Sequence, residues 1–334
     1  MRIAVLVLPN FNVLATFAFL DPFRAANYLS GESLYQWRLF SSSGEQERAS
    51  NGVAISTEDL SALSGWAADI GVVSSSWTPE AFYDQETIVG PIRSWGRQGL
   101  RVCGLDTGAY LIAHAGLLAG GRVATHYEHI DAFRELYPDI ECTEELLTVH
   151  NKILTCAGGE ASADLALHIL REDHGDALAN ASARYLLHER IREPGERQNL
   201  TNRVPIGRTT PDKLRHAIQL MEQNLETPIP VPDLAKELGL SQRQLSRLFT
   251  QHTGQTAVQY YRNIRLDRGR SLITQTEMSI LSVSIACGFE NTEYFSKAYR
   301  VRFGKSPRED RIEGRIPFEY RPWPMHPIPT KKHR

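Results

Sequence analysis

The feature that most restricts how this chain folds is a helix–glycine–helix pattern that occurs twice, about fifty residues apart, in its last third. Residues 231–250, VPDLAKELGLSQRQLSRLFT, place Leu234, Ala235 and Leu238 on one face of a short helix, break it at Gly239 and start a second helix after Ser241. Serine accepts the orphan N–H groups of a helix start, and Leu245, Leu248 and Phe249 form the apolar stripe that packs the second helix onto the first. The order returns in SILSVSIACGFENTEYFSKAYRVRFG: a helix at 280–287, a break at Gly288, and a second helix from about Asn291 with Phe295, Ala298 and Phe303 facing inward. A helix predicted over 256–271 separates the two units and spans about 24 Å at 1.5 Å per residue. With packing offsets, two outer helices about 34 Å apart enter successive major-groove turns on one side of a duplex.

Each apolar stripe leaves a polar face. On the first unit it carries Gln242, Arg243, Gln244, Ser246 and Arg247; on the second, Asn291, Thr292, Lys297 and Arg300. Arginine matches guanine and glutamine matches adenine at base edges, so these residues are the predicted contacts to double-stranded DNA. Glu293 departs from this pattern: a carboxylate beside phosphate repels, so it either accepts from cytosine or faces away from the DNA. The net charge of -2 conceals a strong polarity. Residues 1–207 hold 16 Lys and Arg against 26 Asp and Glu, net -10, and residues 208–334 hold 21 against 13, net +8. An acidic front and a basic rear suit a polyanion bound at the rear, although charge alone does not separate DNA from other polyanions.

The front predicts a different architecture. The apolar run at 3–8 fits a strand buried on both faces, followed by helical spacing to about Leu29. Strand-like runs recur at 36–41, 69–74 and 100–105, with helices at 79–98 and after Asp106. This alternation predicts an α/β, flavodoxin-like, mostly parallel sheet sandwiched by helices, ahead of an all-α domain with two helix-turn-helix units. Residues 146–156 read as a hairpin turning at Asn151-Lys152, and helices at 159–173 and 176–190 close the front domain. The expected boundaries are 1–190 for the front domain, 191–210 for a polar linker, 211–311 for the helical domain and 312–334 for a Pro-rich, basic, disordered tail. The first residues carry too short an apolar run for a secretory signal, and no stretch of about 18 apolar residues follows, which predicts a cytoplasmic chain without membrane association. Cys103, Cys142, Cys156 and Cys287 are scattered and read as reduced thiols.

The run GFENTEYFSKAYRVRFGKSP at 288–307, with AKELGLSQRQLSRLF at 235–249, resembles the signature of the AraC/XylS family of regulators over about a hundred residues from Pro211. In front, residues 100–126 read as a buried strand, a sharp turn at 105–108 and a helix. Side chains at such an elbow project over the strand ends, where open α/β sheets bind ligands. This ordering resembles the PfpI-type branch of the class I glutamine amidotransferase-like superfamily, in which a cysteine occupies the turn; here the position holds Asp106. Cys103, three residues earlier and inside the strand, reads as a structural thiol, so no catalytic residue is assigned. The resemblance further places Asp21, from the first helix, where the enzymes carry an acidic partner of the cysteine. Asp106 and Asp21 would make an anionic pocket suited to a cation, with Thr107 in the turn. Phe11, Trp77 and Tyr127 offer aromatic faces, set against an equal expectation that they are core, and His126 is either a ligand contact or a core histidine. The spacing of His126, Glu128 and His129 matches no metal site, and no cofactor is expected.

A PfpI-type domain before an AraC-type pair is a GlxA-like architecture. Members with an Asp-Thr-Gly elbow control catabolism of arginine, carnitine or glycine betaine, so the resemblance implies an amine, quaternary ammonium or amino-acid effector. It also implies a transcriptional activator that works with RNA polymerase, and a homodimer formed through the α/β domain. Two alternatives stay open at this point: a hydrolase or amidotransferase-like enzyme with an appended DNA-binding module, and a ligand-independent activator whose front domain only dimerises.

Overall fold

The computed structural model describes residues 1–75, 79–198 and 211–314, which form two units, the first ending at Gln198. Trp77, residues 199–210 and residues 315–334 lie outside the described residues.

The front unit runs β1 (Arg2–Val7), α1 (Val13–Ser30), β2 (Gln36–Ser41), β3 (Gln46–Arg48), β4 (Ala54–Ser56), β5 (Glu58–Asp59), β6 (Ile70–Ser74), α2 (Glu86–Gln98), β7 (Arg101–Leu105), α3 (Gly108–His114), β8 (Arg122–Ala124), α4 (Ile130–Leu136), β9 (Glu141–Thr143), β10 (Leu147–His150), β11 (Ile153–Cys156), α5 (Ala161–His174) and α6 (Asp176–Tyr185). Seven strands form one sheet in the order β10-β11-β7-β6-β1-β2-β5, parallel except for the β10–β11 hairpin, which turns at Asn151 with φ +56°. The central strand explains the sandwich, because side chains alternate across a strand. Ile3, Val5 and Val7 pack in the layer with Phe19 and Phe23 of α1 and Leu165 and Ile169 of α5. Ala4 and Leu6 pack in the opposite layer with Ile88 and Ile92 of α2 and Leu111 and Ile112 of α3.

Three boundaries depart from the sequence reading. The helix expected over 79–98 begins only at Glu86, after a short 3-10 turn. The helix expected to reach 190 ends at Tyr185. Residues 191–198, read as linker, belong to the front unit: Arg192 donates from its backbone N and its Nε to the fully buried Asp164, each at 2.7 Å, and the Leu146 N–H donates to the Glu196 carbonyl at 2.7 Å. Polar composition misled here, because Arg192 and Gln198 find buried partners instead of water.

The rear unit runs α7 (Asp212–Gln223), α8 (Val231–Glu237), α9 (Gln242–Thr253), α10 (Ala257–Gln275), α11 (Ile280–Ala286), α12 (Thr292–Phe303) and α13 (Pro307–Gly314). The repetition in sequence is a repetition in structure. Capping side chains start both second helices: Ser241 accepts from Gln244 N, and Asn291 accepts from Glu293 N and Tyr294 N. Glycines at positive φ end both, Gly254 and Gly304. Leu245 and Phe249 are fully buried in the first half, and Phe295 and Tyr299 in the second. A reciprocal cap then starts the next helix in each half, Thr256 with Gln259 and Ser306 with Glu309.

The two halves are joined by more than α10. Arg265 of α10 donates to the carbonyls of Cys287 and Gly288 and stacks its guanidinium 4.1 Å from the Phe289 ring. Tyr261, also on α10, donates to the Asn224 carbonyl and accepts from Ile229 N, which ties down the connection before α8. Gly288 rests against that same connection: a Cβ there would lie 2.7 Å from the Leu225 and Glu226 carbonyl oxygens.

Candidate effector site and DNA interface

β7 runs into a turn whose second residue, Asp106, holds φ +59°, a left-handed conformation that costs an L-residue about 1–2 kcal/mol. Close packing keeps it there. Gly108 opens α3 directly against β6, where a Cβ would fall 2.1 Å from the Val73 carbonyl oxygen. Asp106 N donates to the Cys156 carbonyl at 3.2 Å, and Thr125 Oγ1 donates to the Asp106 carbonyl at 2.9 Å. Its carboxylate accepts from Asn12 Nδ2 at 2.8 Å.

Asp106 is 4% exposed. Burial pushes its carboxyl above the usual carboxylate range and the charge of Glu128 adds to the rise, while His126, the Asn12 amide and the Thr107 backbone N–H pull it back. One strand over, Ser74 pairs with Leu105, so Ser75 stands in the row of Asp106; it is 1% exposed and its hydroxyl has no partner among the described residues. The elbow therefore combines a strained, desolvated carboxylate, a second acid nearby and an unused hydroxyl.

Of the residues singled out from sequence, Asp106 and Thr107 sit in the turn, both buried, and His126 is close enough to act on the Asp106 carboxyl while its Nδ1 accepts from Glu128 N at 3.4 Å. Asp21 requires correction. Its carboxylate is half-exposed and paired with Arg24 at 2.5 Å, one helix turn away on α1. The position that meets Asp106 is Asn12, the N-cap of α1; Asp21 lies nine residues on, about 13 Å along the helix axis. Phe11 is fully buried within the α1 and α5 layer, so its role there is packing. Sequence reasoning missed Asn12, Ser75 and Glu128 as neighbours of Asp106. Asn12 did carry a signal, since an Asn before an apolar helical run marks a helix start over the strand ends.

The two thiols on the strands that meet at the elbow are unsuited to nucleophilic chemistry. Cys103 is fully buried inside β7, and burial drives its thiol far above the usual range; Cys156 is pushed up to about 11 by the same cause. Among the described residues no group of three or more His, Cys, Asp and Glu is arranged to hold a metal ion, and no helix is long and apolar enough to cross a membrane.

In the rear unit, Gln242, Arg243, Gln244 and Arg247 are exposed on α9, and Asn291, Lys297 and Arg300 are exposed on or beside α12. Ser246 is half-buried. Three of these side chains are committed locally. The Gln244 carbonyl oxygen accepts from Ser241 N at 2.8 Å, the Asn291 carbonyl oxygen caps α12, and the half-buried Thr292 hydroxyl shares a 3.1 Å hydrogen bond with Ser284. Arg243 and Arg247 thus give α9 an exposed cationic edge, whereas on α12 Lys297 and Arg300 share their exposed face with Glu293, which by its helical spacing does not face away from them, against one of the two alternatives of the sequence reading.

Comparison with known proteins agrees with this arrangement. Residues 234–312 match the family model described as a helix-turn-helix domain. Over 307 residues, 92% of this chain and 90% of the other, the sequence is 37% identical to the HTH-type transcriptional regulator CdhR of Pseudomonas aeruginosa. The chain belongs to the AraC family of transcriptional regulators. This AraC-family regulator shares its fold with a solved AraC family transcriptional regulator from Pseudomonas putida, at TM-score 0.51 and 24% identity over 55% of this chain and 98% of that one. It also shares fold with a THiJ/PfpI family protein from Pseudomonas syringae, at TM-score 0.50 and 19% identity over 66% and 86%. The AraC-family regulator is a DNA-binding transcriptional regulator, and a carboxylate stands at its elbow.

Proposed function

We propose that this regulator is a cytoplasmic activator of genes for amine or amino-acid breakdown, switched by a small nitrogenous cation held at the Asp106 elbow. The observation that carries the reading is the buried carboxylate of Asp106, held at the strand end in a left-handed turn, with the buried Ser75 hydroxyl, unpartnered among the described residues, in the same row. A desolvated carboxylate gains most from a cation brought against it; an ammonium or guanidinium also donates where Ser75 and Asp106 accept, whereas a quaternary ammonium pairs with Asp106 by charge alone. His126 and Thr107 complete the lining, and Asn12 stands where Asp21 was expected. The effector acts by binding one arrangement of the protein more tightly than another, since equal affinity shifts nothing.

At the rear, Gln242, Arg243 and Arg247 of α9 and Lys297 and Arg300 of α12 meet the duplex, with Gln244, Ser246, Asn291 and Thr292 at the edges of the two contacts. The regulator works as a homodimer and recruits RNA polymerase. A thermal-shift panel of glycine betaine, carnitine, L-arginine and neutral analogues tests the site. At least one of the three, through its positively charged nitrogen group, is expected to raise Tm and Asp106→Asn to abolish the rise; a panel without a binder, or binding that survives Asp106→Asn, refutes the assignment.

A further inference from the structure

The chain leaves the front unit through a stretch that is bolted to it. His188 Nε2 and the Arg192 side chain and backbone all meet Asp164, which is fully buried, at 2.7–2.8 Å. Arg171 pairs with Glu193 at 2.7 Å, and Gln198 N donates to the Glu144 carbonyl at 2.7 Å. The last described residue before the segment leading to the rear unit is Gln198, 7% exposed, and both protons of its side-chain amide are used: Nε2 donates to the Thr125 carbonyl at 2.8 Å and to the Glu145 carbonyl at 3.0 Å. Thr125, itself fully buried, gives its hydroxyl proton to the Asp106 carbonyl. Two buried hydrogen bonds through one residue therefore link the backbone of the elbow to the point where the chain departs for the DNA-reading unit.

We infer that residues 188–198 form a docked strap whose hold on the front unit reports the state of the elbow, with Gln198 as the positioning residue that receives it through Thr125. The inference rests on the effector site proposed above, and it gives that site an output. The physical reason lies in the fixed geometry at each end. Asp106 is held in a left-handed turn by Gly108, so a ligand that draws on its carboxylate moves the peptide group as well as the side chain. The carbonyl it displaces is the acceptor of Thr125 Oγ1, and the Thr125 carbonyl is an acceptor of Gln198. A buried amide that loses one of two acceptors is costly to leave unsatisfied, so the strap either follows or lets go. The ion pairs on Asp164 hold the strap's other end, while 195–198 is held by hydrogen bonds to residues 144–146 and to Thr125, which puts that part in contact with the elbow's support.

Hydrogen exchange on the full chain, read by mass spectrometry over peptides covering 188–198, tests this without and with ligand. In the ligand-free protein, Thr125→Val keeps the shape and removes the hydroxyl that ties it to Asp106; exchange at 195–198 is expected to rise, by at most about fivefold, the full effect of one hydrogen bond transmitted to the strap. Asp106→Asn is expected to alter exchange in the same peptides, while α1 and α5 stay as in the wild type. With whichever of glycine betaine, carnitine or L-arginine raises Tm, wild-type strap exchange changes, and Gln198→Ala, which leaves the contacts of Asp106 itself in place, binds that ligand with no change in strap exchange. The affinity for a duplex selected by the full chain from a random pool follows the same split: ligand-responsive in the wild type, indifferent in Thr125→Val and Gln198→Ala. A ligand that binds and leaves strap exchange unaltered overturns the inference and spares the effector site. If none of the three binds, the effector site fails, and the ligand-free comparison still decides: strap exchange indifferent to both Thr125→Val and Asp106→Asn overturns the link.

Discussion

Gly239 and Gly288 occupy equivalent turns in the two halves of the rear unit and share a left-handed backbone, φ +62° and +68°. Alanine at either position therefore meets the same conformational cost of about 1–2 kcal/mol. Their surroundings differ. Around Gly239 an added Cβ meets only the Lys213 Nζ at 4.0 Å, the far end of a flexible side chain, whereas at Gly288 it meets two backbone carbonyls and Pro228 Cδ at 2.7 Å. Overpacking against groups that cannot yield adds about 1–3 kcal/mol, so Gly288→Ala is expected to lose roughly 2–5 kcal/mol in all and Gly239→Ala only the first part. Calorimetry of the full chain measures both, the rear unit's transition being the one that selected duplex DNA raises. At about 4–8 °C per kcal/mol for a unit of this size, Gly288→Ala melts at least several degrees below Gly239→Ala. Equal losses would show that the second turn does not bear on the first half, and the picture of two locked units would fall.

Other consequences follow from single groups. Asp106→Asn is expected to stabilise the front unit at neutral pH by removing a desolvated charge. Because the folded-state carboxyl sits above its unfolded value of 3.8, its favourable contribution is complete below that pH and lost as pH rises through the folded value. The Tm advantage of the variant should thus shrink as pH falls toward 4; an advantage that grows on acidification refutes the sign. Arg247→Ala and Lys297→Ala should each weaken binding to the selected duplex, with a shallower dependence of log K on log salt where the lost contact is to phosphate. Unchanged affinity removes that residue from the interface. Cys103→Ala should leave effector and DNA binding intact, since that thiol touches neither; loss of either function in a folded variant would revive a role for it.

Much of this protein is legible in its amino-acid sequence. Continuous apolar runs locate β1, β6 and β7 because a strand buried on both faces has no polar alternative to confuse it. The rear repeat is legible because caps, turn glycines and apolar stripes recur together. What stays hidden depends on contacts distant in sequence. The short strands β3, β4 and β5 lack any periodicity of their own. Asp21 looks like the partner of Asp106 until α1 is seen to start at Asn12, which puts the cap and not the acid beside the elbow. Residues 191–198 read as linker because Arg192, Glu196 and Gln198 are polar, and nothing local reveals that Asp164 and the Thr125 carbonyl await them. Buried polar networks are specified by partners, and partners are what a single local window omits.

The central claim is that two cationic helices, α9 and α12, read one face of a duplex together. Hydroxyl-radical footprinting of the selected duplex tests it most directly. The account predicts protected windows in pairs about 10 base pairs apart on one face, with Arg247→Ala fading one window of each pair and Lys297→Ala the other. A single window, or two that fade together with either substitution, would contradict it.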